Sequence, residues 1–234
     1  MEITLTNSNS IKIISGNCTL ITNPDSADEY NIGLFNDPMI SIKNNKLNVK
    51  SPGEFEIDNF YITSIGYKLN RANEISENKN SDETNEKPIQ KSLVDFEKEQ
   101  NPIEIADNGD EDESKEYGIY YLIQVEGIKI LSLGNKTIPA SHKNKLSSEN
   151  PKIILTPHIN ISTKDDNTFQ KLTTDIDYRV IVISDLLESY NEEQIYENSR
   201  IAFGVKDKSN LNRFNVTVNN IPKDKRIVLL NKSK

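Results

Sequence analysis

Short runs of β-branched and apolar residues, broken by Asn, Ser and Gly, dominate the first part of the chain. Ile3-Thr4-Leu5, Ile11 to Ile14 and Thr19 to Thr22 have the composition and length of strands. The same reading predicts strands at Ile32 to Phe35, Lys46 to Val49, Phe55 to Ile57 and Phe60 to Thr63. Further on, Tyr117 to Val125 and Ile128 to Leu133 flank Glu126-Gly127, a dipeptide suited to a tight hairpin turn because Gly accepts positive φ. Ile153-Ile154-Leu155 and Val180 to Ile183 are apolar without alternation, the pattern of strands covered on both faces. Phe214 to Val218 and Arg226 to Leu230 close the series.

Helical periodicity is confined to the later part. Asp165-Asp166 offers a cap ahead of Phe169, Leu172 and Ile176 at spacings of three and four. Leu186, Leu187, Tyr190 and Ile195 suggest a second helix, and Pro139 to Leu146 a short one. Two β-rich halves with helices concentrated late predict an α/β sandwich and not a bundle or a doubly wound sheet.

Between the halves the pattern fails. Residues 70–116 carry 15 acids and 6 bases, a net of −9, which leaves 21 acids against 22 bases in the remainder. The chain's formal charge of −8 therefore belongs to this segment. So few apolar residues cannot offset the entropy of ordering the backbone, so a disordered acidic insert is expected. The short apolar patch Ser92 to Phe96 is its one exception. The expected organisation is 1–69, the N-terminal half of the folded domain; 70–116, the insert; and 117–234, the C-terminal half. A protein partner docking on the insert is one expectation, and a plain spacer is the other.

Composition narrows the chemistry. One cysteine, Cys18, and two histidines exclude a disulfide and the usual Cys/His zinc clusters. Cys18 lies within a strand run with no nearby His in sequence, which predicts a buried, inert thiol. No glycine spacing matches a phosphate loop or a dinucleotide fingerprint. Lys206, Lys208, Arg213, Lys223, Lys225 and Arg226 give a mildly basic tail, read as solvated surface, so nucleic acid is not expected as a partner. The N-terminal residues have no basic or apolar signal-like pattern, and no apolar run is long enough to span a bilayer, so a cytoplasmic protein without membrane attachment is expected.

The order of these segments resembles the small bacterial hydrolases of the metallo-β-lactamase superfamily, in the branch near the ascorbate-6-phosphate lactonases. Ser51-Pro52-Gly53-Glu54-Phe55-Glu56-Ile57 is similar to that family's Gly-Pro-Gly-Glu-Tyr-Glu-Ile stretch. Tyr120 to Gly134 resembles the hairpin that ends in its Leu-Gly-Asp, and Phe214 to Leu230 resembles its closing hairpin. The opening strands, from Ile3 to Asn23-Pro24, match those that end in Asp-Pro in the family. The resemblance spans all but the insert and implies an αββα sandwich.

It also implies a metal loop of the form His-x-His-x-Asp-His, a later Asp and a strand-end His. Together such ligands lower the pKa of a bound water and supply hydroxide. At these positions the chain departs from the family. Asp37 stands at the first His, Met39 at the second, Ser41 at the Asp and Ile42 at the last. Leu-Gly-Asp has become Leu133-Gly134-Asn135, and Asp185 stands at the strand-end His. Asn23 replaces the early Asp, and Asn7-Ser8 replaces the Gly-His after the first strand. His142, in a polar stretch, is expected on the solvated surface. His158, after a strand, is expected near the old cleft in a structural role.

Two functions follow from the resemblance. One is a pseudo-hydrolase that binds a small ligand or a protein and needs no cofactor, its cleft lined by Asn7, Ser8, Asn23 and His158. The other is a hydrolase with a rebuilt oxygen site in which Asp37, Asn135 and Asp185 hold a divalent cation such as Mg²⁺ or Ca²⁺.

Overall fold

The computed structural model describes residues 1–6, 10–40, 46–68, 117–134, 138–157, 161, 168–184 and 192–231. Met1–Leu69 and Glu116–Lys234 form one compact unit. The insert expected at 70–116 lies outside the described residues.

Two mixed sheets form an αββα-type sandwich. Among the described residues, seven strands precede residues 70–116: β1 (Glu2–Leu5), β2 (Ile11–Ser15), β3 (Cys18–Thr22), β4 (Ile32–Leu34), β5 (Leu47–Val49), β6 (Gly53–Ile57) and β7 (Phe60–Lys68). After it come β8 (Tyr117–Val125), β9 (Ile128–Ser132), α1 (Lys143–Glu149), β10 (Ile153–Pro157), α2 (Thr168–Thr173) and β11 (Val180–Ser184). The chain ends with α3 (Glu192–Phe203), β12 (Asp207–Leu211), β13 (Arg213–Asn215) and β14 (Arg226–Leu230). The six-stranded sheet has the order β13-β1-β2-β3-β4-β5, and the eight-stranded sheet the order β12-β14-β11-β10-β9-β8-β7-β6.

The side-chain pattern explains the layering. In β1, Ile3 and Leu5 are buried while Glu2 and Thr4 are only partly covered, the period-2 alternation of a sheet with one face on the core. The central strands of the larger sheet behave differently. Ile153, Leu155, Val180, Val182 and Val228 enter the core between the sheets. Their neighbours Ile154, Ile181, Ile183, Ile227 and Leu229 face a second core with Leu146 of α1, Leu172 of α2 and Ile195 of α3. The unbroken apolar runs are thus covered on both faces, as the sequence predicts. Among the described residues, the helical layer lies over the eight-stranded sheet.

Several elements differ from expectation. β7 extends to Lys68, five residues past the apolar run, because it pairs along its whole length with β8, from Phe60↔Val125 to Lys68↔Tyr117. The strand expected over Phe214 to Val218 ends at Asn215. β12 carries no apolar pattern because it is an edge strand. It pairs only with β14, and Lys208 and Asn210 hold Glu193 and Glu192 at the start of α3. The helix expected from Leu186 begins at Glu192 among the described residues, with Glu192 and Glu193 favourably placed in its first turn. The Glu126-Gly127 turn has φ of 48° and 76°, the double positive φ that a two-residue hairpin demands.

One hydroxyl ties the two sheets. Tyr121 on β8 shares its proton between the carbonyls of Phe35, at 2.6 Å, and Val49, at 2.9 Å, both in the smaller sheet's strand ends. Burial pushes its ionisation above the ordinary tyrosine value, so it stays a neutral donor. Tyr121→Phe removes both contacts from a site closed to water and should cost about 1–2 kcal/mol of unfolding free energy. Urea denaturation of the two proteins measures this, and an unchanged midpoint would show that the hydroxyl contributes nothing.

Candidate functional site

β3 and β4 are parallel, as are β9, β10 and β11, so their carboxyl ends gather at one edge of the sandwich. The first residues beyond β3 and beyond Phe35 are both asparagines, and they meet. Asn23 sits at φ 47°, a left-handed conformation that Asn tolerates better than most residues. Its Nδ2 donates to Asn36 Oδ1 at 2.9 Å, and its Oδ1 accepts the Asn36 amide at 2.9 Å. Asn36 then reaches the other sheet. Its Nδ2 donates to the Ile119 carbonyl at 2.6 Å, and its carbonyl accepts the Ile119 amide at 3.0 Å. Ser10 Oγ donates to the Asn23 carbonyl at 2.7 Å. Asn36 is 6% exposed, so its bond to the Ile119 carbonyl replaces water that burial has removed, whereas Asn23 is exposed.

Gly134, in the Leu133-Gly134-Asn135 segment, is part of this arrangement. A Cβ there would lie 2.7 Å from Asn36 Cβ and 2.9 Å from its Cγ. Only glycine lets the end of β9 approach the amide so closely.

Asp37 follows directly and is half-buried. Its carboxylate accepts the Met39 amide at 2.9 Å, closing a local Asx turn. Lys50 pins the same loop by donating to the Ile40 carbonyl at 2.6 Å. Met39, expected from the resemblance at the second His, points outward and is 86% exposed. Of the other positions singled out in the sequence, Asn7, Ser8, Ser41, Ile42, Asn135, His158 and Asp185 lie outside the described residues. The structure brings Asn23 to the site end together with Gly134 of the Leu133-Gly134-Asn135 stretch, and adds Asn36, Ile119 and Tyr121, whose roles no motif marked.

Among the described residues the donor set does not fit zinc. Such an ion takes three or four His, Cys or carboxylate donors converging at about 2 Å. Among the described residues no three His, Cys, Asp or Glu side chains gather in that way. The groups at the centre are neutral amides, already bonded to one another. They supply neither a titrating base nor a nucleophile.

His142 corrects an expectation. It was expected on the solvated surface, but it is half-buried at the turn before α1. Its Nδ1 is 3.0 Å from Tyr120 Oη, and its ring stands edge-on to Tyr120 and Tyr67 at 5.6 and 6.0 Å. Burial and then Lys145 lower its pKa, favouring the neutral ring. The polar neighbours in sequence hid this, because the tyrosines come from β7 and β8. Tyr67 fits there because its partner across the strands is Gly118, where a Cβ would fall 2.4 Å from the ring. Burial moves the Tyr67 hydroxyl up to about 12. Cys18 is buried as expected, with its thiol pushed up to about 11 by burial and then by Asp58.

The sheet orders and the closed edge define a metallo-β-lactamase-type sandwich. A solved structure from Thermotoga maritima, classed as a Zn-dependent hydrolase of the metallo-β-lactamase superfamily, matches with a TM-score of 0.58. The match covers 99% of each chain at 12% identity. This chain therefore has the metallo-β-lactamase fold. No protein-family model and no curated protein matches its sequence.

Asn36→Ala removes the amide that joins Asn23 to Ile119 and leaves the buried Ile119 carbonyl without that partner. It should destabilise the protein by roughly 1–3 kcal/mol in chemical denaturation. A loss below about 0.5 kcal/mol, the range of an ordinary surface substitution, would mean that the amide bridge does not hold this edge.

Proposed function

We propose that the chain is a non-catalytic protein of the metallo-β-lactamase fold, a pseudo-hydrolase that serves as a binding module for a small ligand or a protein. The observation that carries this reading is the Asn23–Asn36–Ile119 bridge. It occupies the strand ends where the family's metal loop begins, and it satisfies its polar groups from within the protein. Activating water at neutral pH needs a strong Lewis acid or a positioned base. Asparagine amides are neither, and the nearby Asp37 carboxylate is engaged in its own turn. The rebuilt oxygen site would require the Asp37 carboxylate to give up its bond to the Met39 amide.

A cytoplasmic location is part of this proposal. A single buried thiol and no disulfide framework suit a reducing compartment. A partner docking on the acidic insert also belongs to it, supported by the segment's charge and its Ser92 to Phe96 patch.

Metal analysis tests the central point. Protein purified without chelators should carry no stoichiometric zinc, and added Zn²⁺ should leave the melting temperature unchanged, since a bound ion would stabilise the native state by mass action. About one equivalent of tightly held zinc, with stabilisation on addition, would overturn the reading.

A further inference from the structure

The end of the sandwich remote from the asparagine bridge carries a separate feature. Basic residues stand immediately before each of four neighbouring parallel strands. Lys152 precedes β10, Arg179 precedes β11, Lys225 precedes β14 and Lys206 precedes β12. Backbone bonds hold them in one row. Arg179 N donates to the Lys152 carbonyl at 2.8 Å, Arg226 N to the Arg179 carbonyl at 2.9 Å, and Lys206 N to the Lys225 carbonyl at 3.0 Å.

The row is undercompensated. Asp177 pairs with both Lys152 and Arg179, and Asp224 pairs with Lys206. Both carboxylates are held below their ordinary range, chiefly by Lys152 and Lys206 respectively. Lys225 lies over the Tyr178 ring, 4.2 Å from its centroid. Lys223 is exposed, and its carbonyl accepts Arg179 Nη1 at 2.6 Å. Five cations thus meet two carboxylates, although outside residues 70–116 the chain's acids and bases nearly balance, 21 against 22.

Beside this row is a recess of ≈ 570 Å³, within the range that holds a small organic molecule. Lys152, Arg179 and Lys223 supply its charge, and Ile128, Val218 and Ile221 its apolar wall. Val218 is 58% exposed, an aliphatic side chain left to solvent beside three cations. Ile221 packs on the core between the sheets and gives the wall a fixed base.

We propose that this recess binds a small organic anion, a carboxylate or phosphate monoester carrying an apolar body. The anionic group sits among Arg179, Lys152 and Lys223, and the body lies on Val218 and Ile221. Arg179 is held by Asp177 and the Lys223 carbonyl, so its guanidinium is positioned before any ligand arrives. Charge alone would bind inorganic phosphate equally, so the apolar wall is what selects an organic anion. The site lies away from the asparagine bridge and holds whether or not the pseudo-hydrolase reading does.

The test uses the full chain, ¹⁵N-labelled, titrated with phenyl phosphate, benzoate, inorganic phosphate and benzyl alcohol. At least one of the two aromatic anions should bind saturably at one equivalent. It should bind on the order of tenfold more tightly than phosphate or the alcohol, with shifts centred on Arg179, Val218 and Ile221. Comparing phenyl phosphate with benzoate tells which head group is preferred. Lys223→Gln and Val218→Ser, both at exposed positions, should each weaken binding several-fold while the melting temperature stays unchanged. Absence of saturable binding by both aromatic anions would overturn the proposal. So would binding that neither variant weakens, or inorganic phosphate or benzyl alcohol binding as tightly as the aromatic anions.

Discussion

The structure depends on how its two sheets are joined at one edge. Apolar packing between the sheets is non-directional and fixes neither their register nor the shape of that edge. Direction comes from a few buried hydrogen bonds: Asn36 to Ile119 in both senses, and Tyr121 to Phe35 and Val49. Each spans from one sheet to the other. Leaving such groups unpaired inside the protein would cost more than making the bonds contributes, so they act as a constraint on the fold as much as a source of stability.

This constraint governs the chemistry available. The ends of the strands at this edge aim amides at each other. Gly134 leaves space for the Asn36 side chain, Asn23 adopts the left-handed turn that presents both of its amide atoms, and Asp37 folds its carboxylate back onto the Met39 amide. These features suit a closed edge, and asparagine amides are neither bases nor Lewis acids. Charge that could engage a ligand is gathered instead at the opposite end, before the parallel strands.

Much of this was legible in the sequence. Alternation in Ile3-Thr4-Leu5 and the unbroken runs at Ile153 and Val180 report which strands are covered on one face and which on two, because burial acts directly on residue type. The substitutions at Asp37 and Met39 were visible against the family pattern. The Asn23–Asn36 pair was not, since an asparagine after a strand has the same appearance whether it bends a loop or bridges two sheets. The Tyr67, Tyr120 and His142 cluster was hidden for a related reason: its members are far apart in sequence, and the polar neighbours of His142 suggested a solvated surface. β12 escaped notice because an edge strand needs ladder partners and not an apolar face.

Amide hydrogen exchange with and without EDTA tests the account most directly. If the edge is closed by Asn36, the Ile119 amide should exchange as slowly as core amides such as that of Ile130, and chelation should leave its protection unchanged. Exchange at Ile119 near the free-peptide rate, or protection that disappears when metal is removed, would contradict the claim that an amide bridge closes this edge.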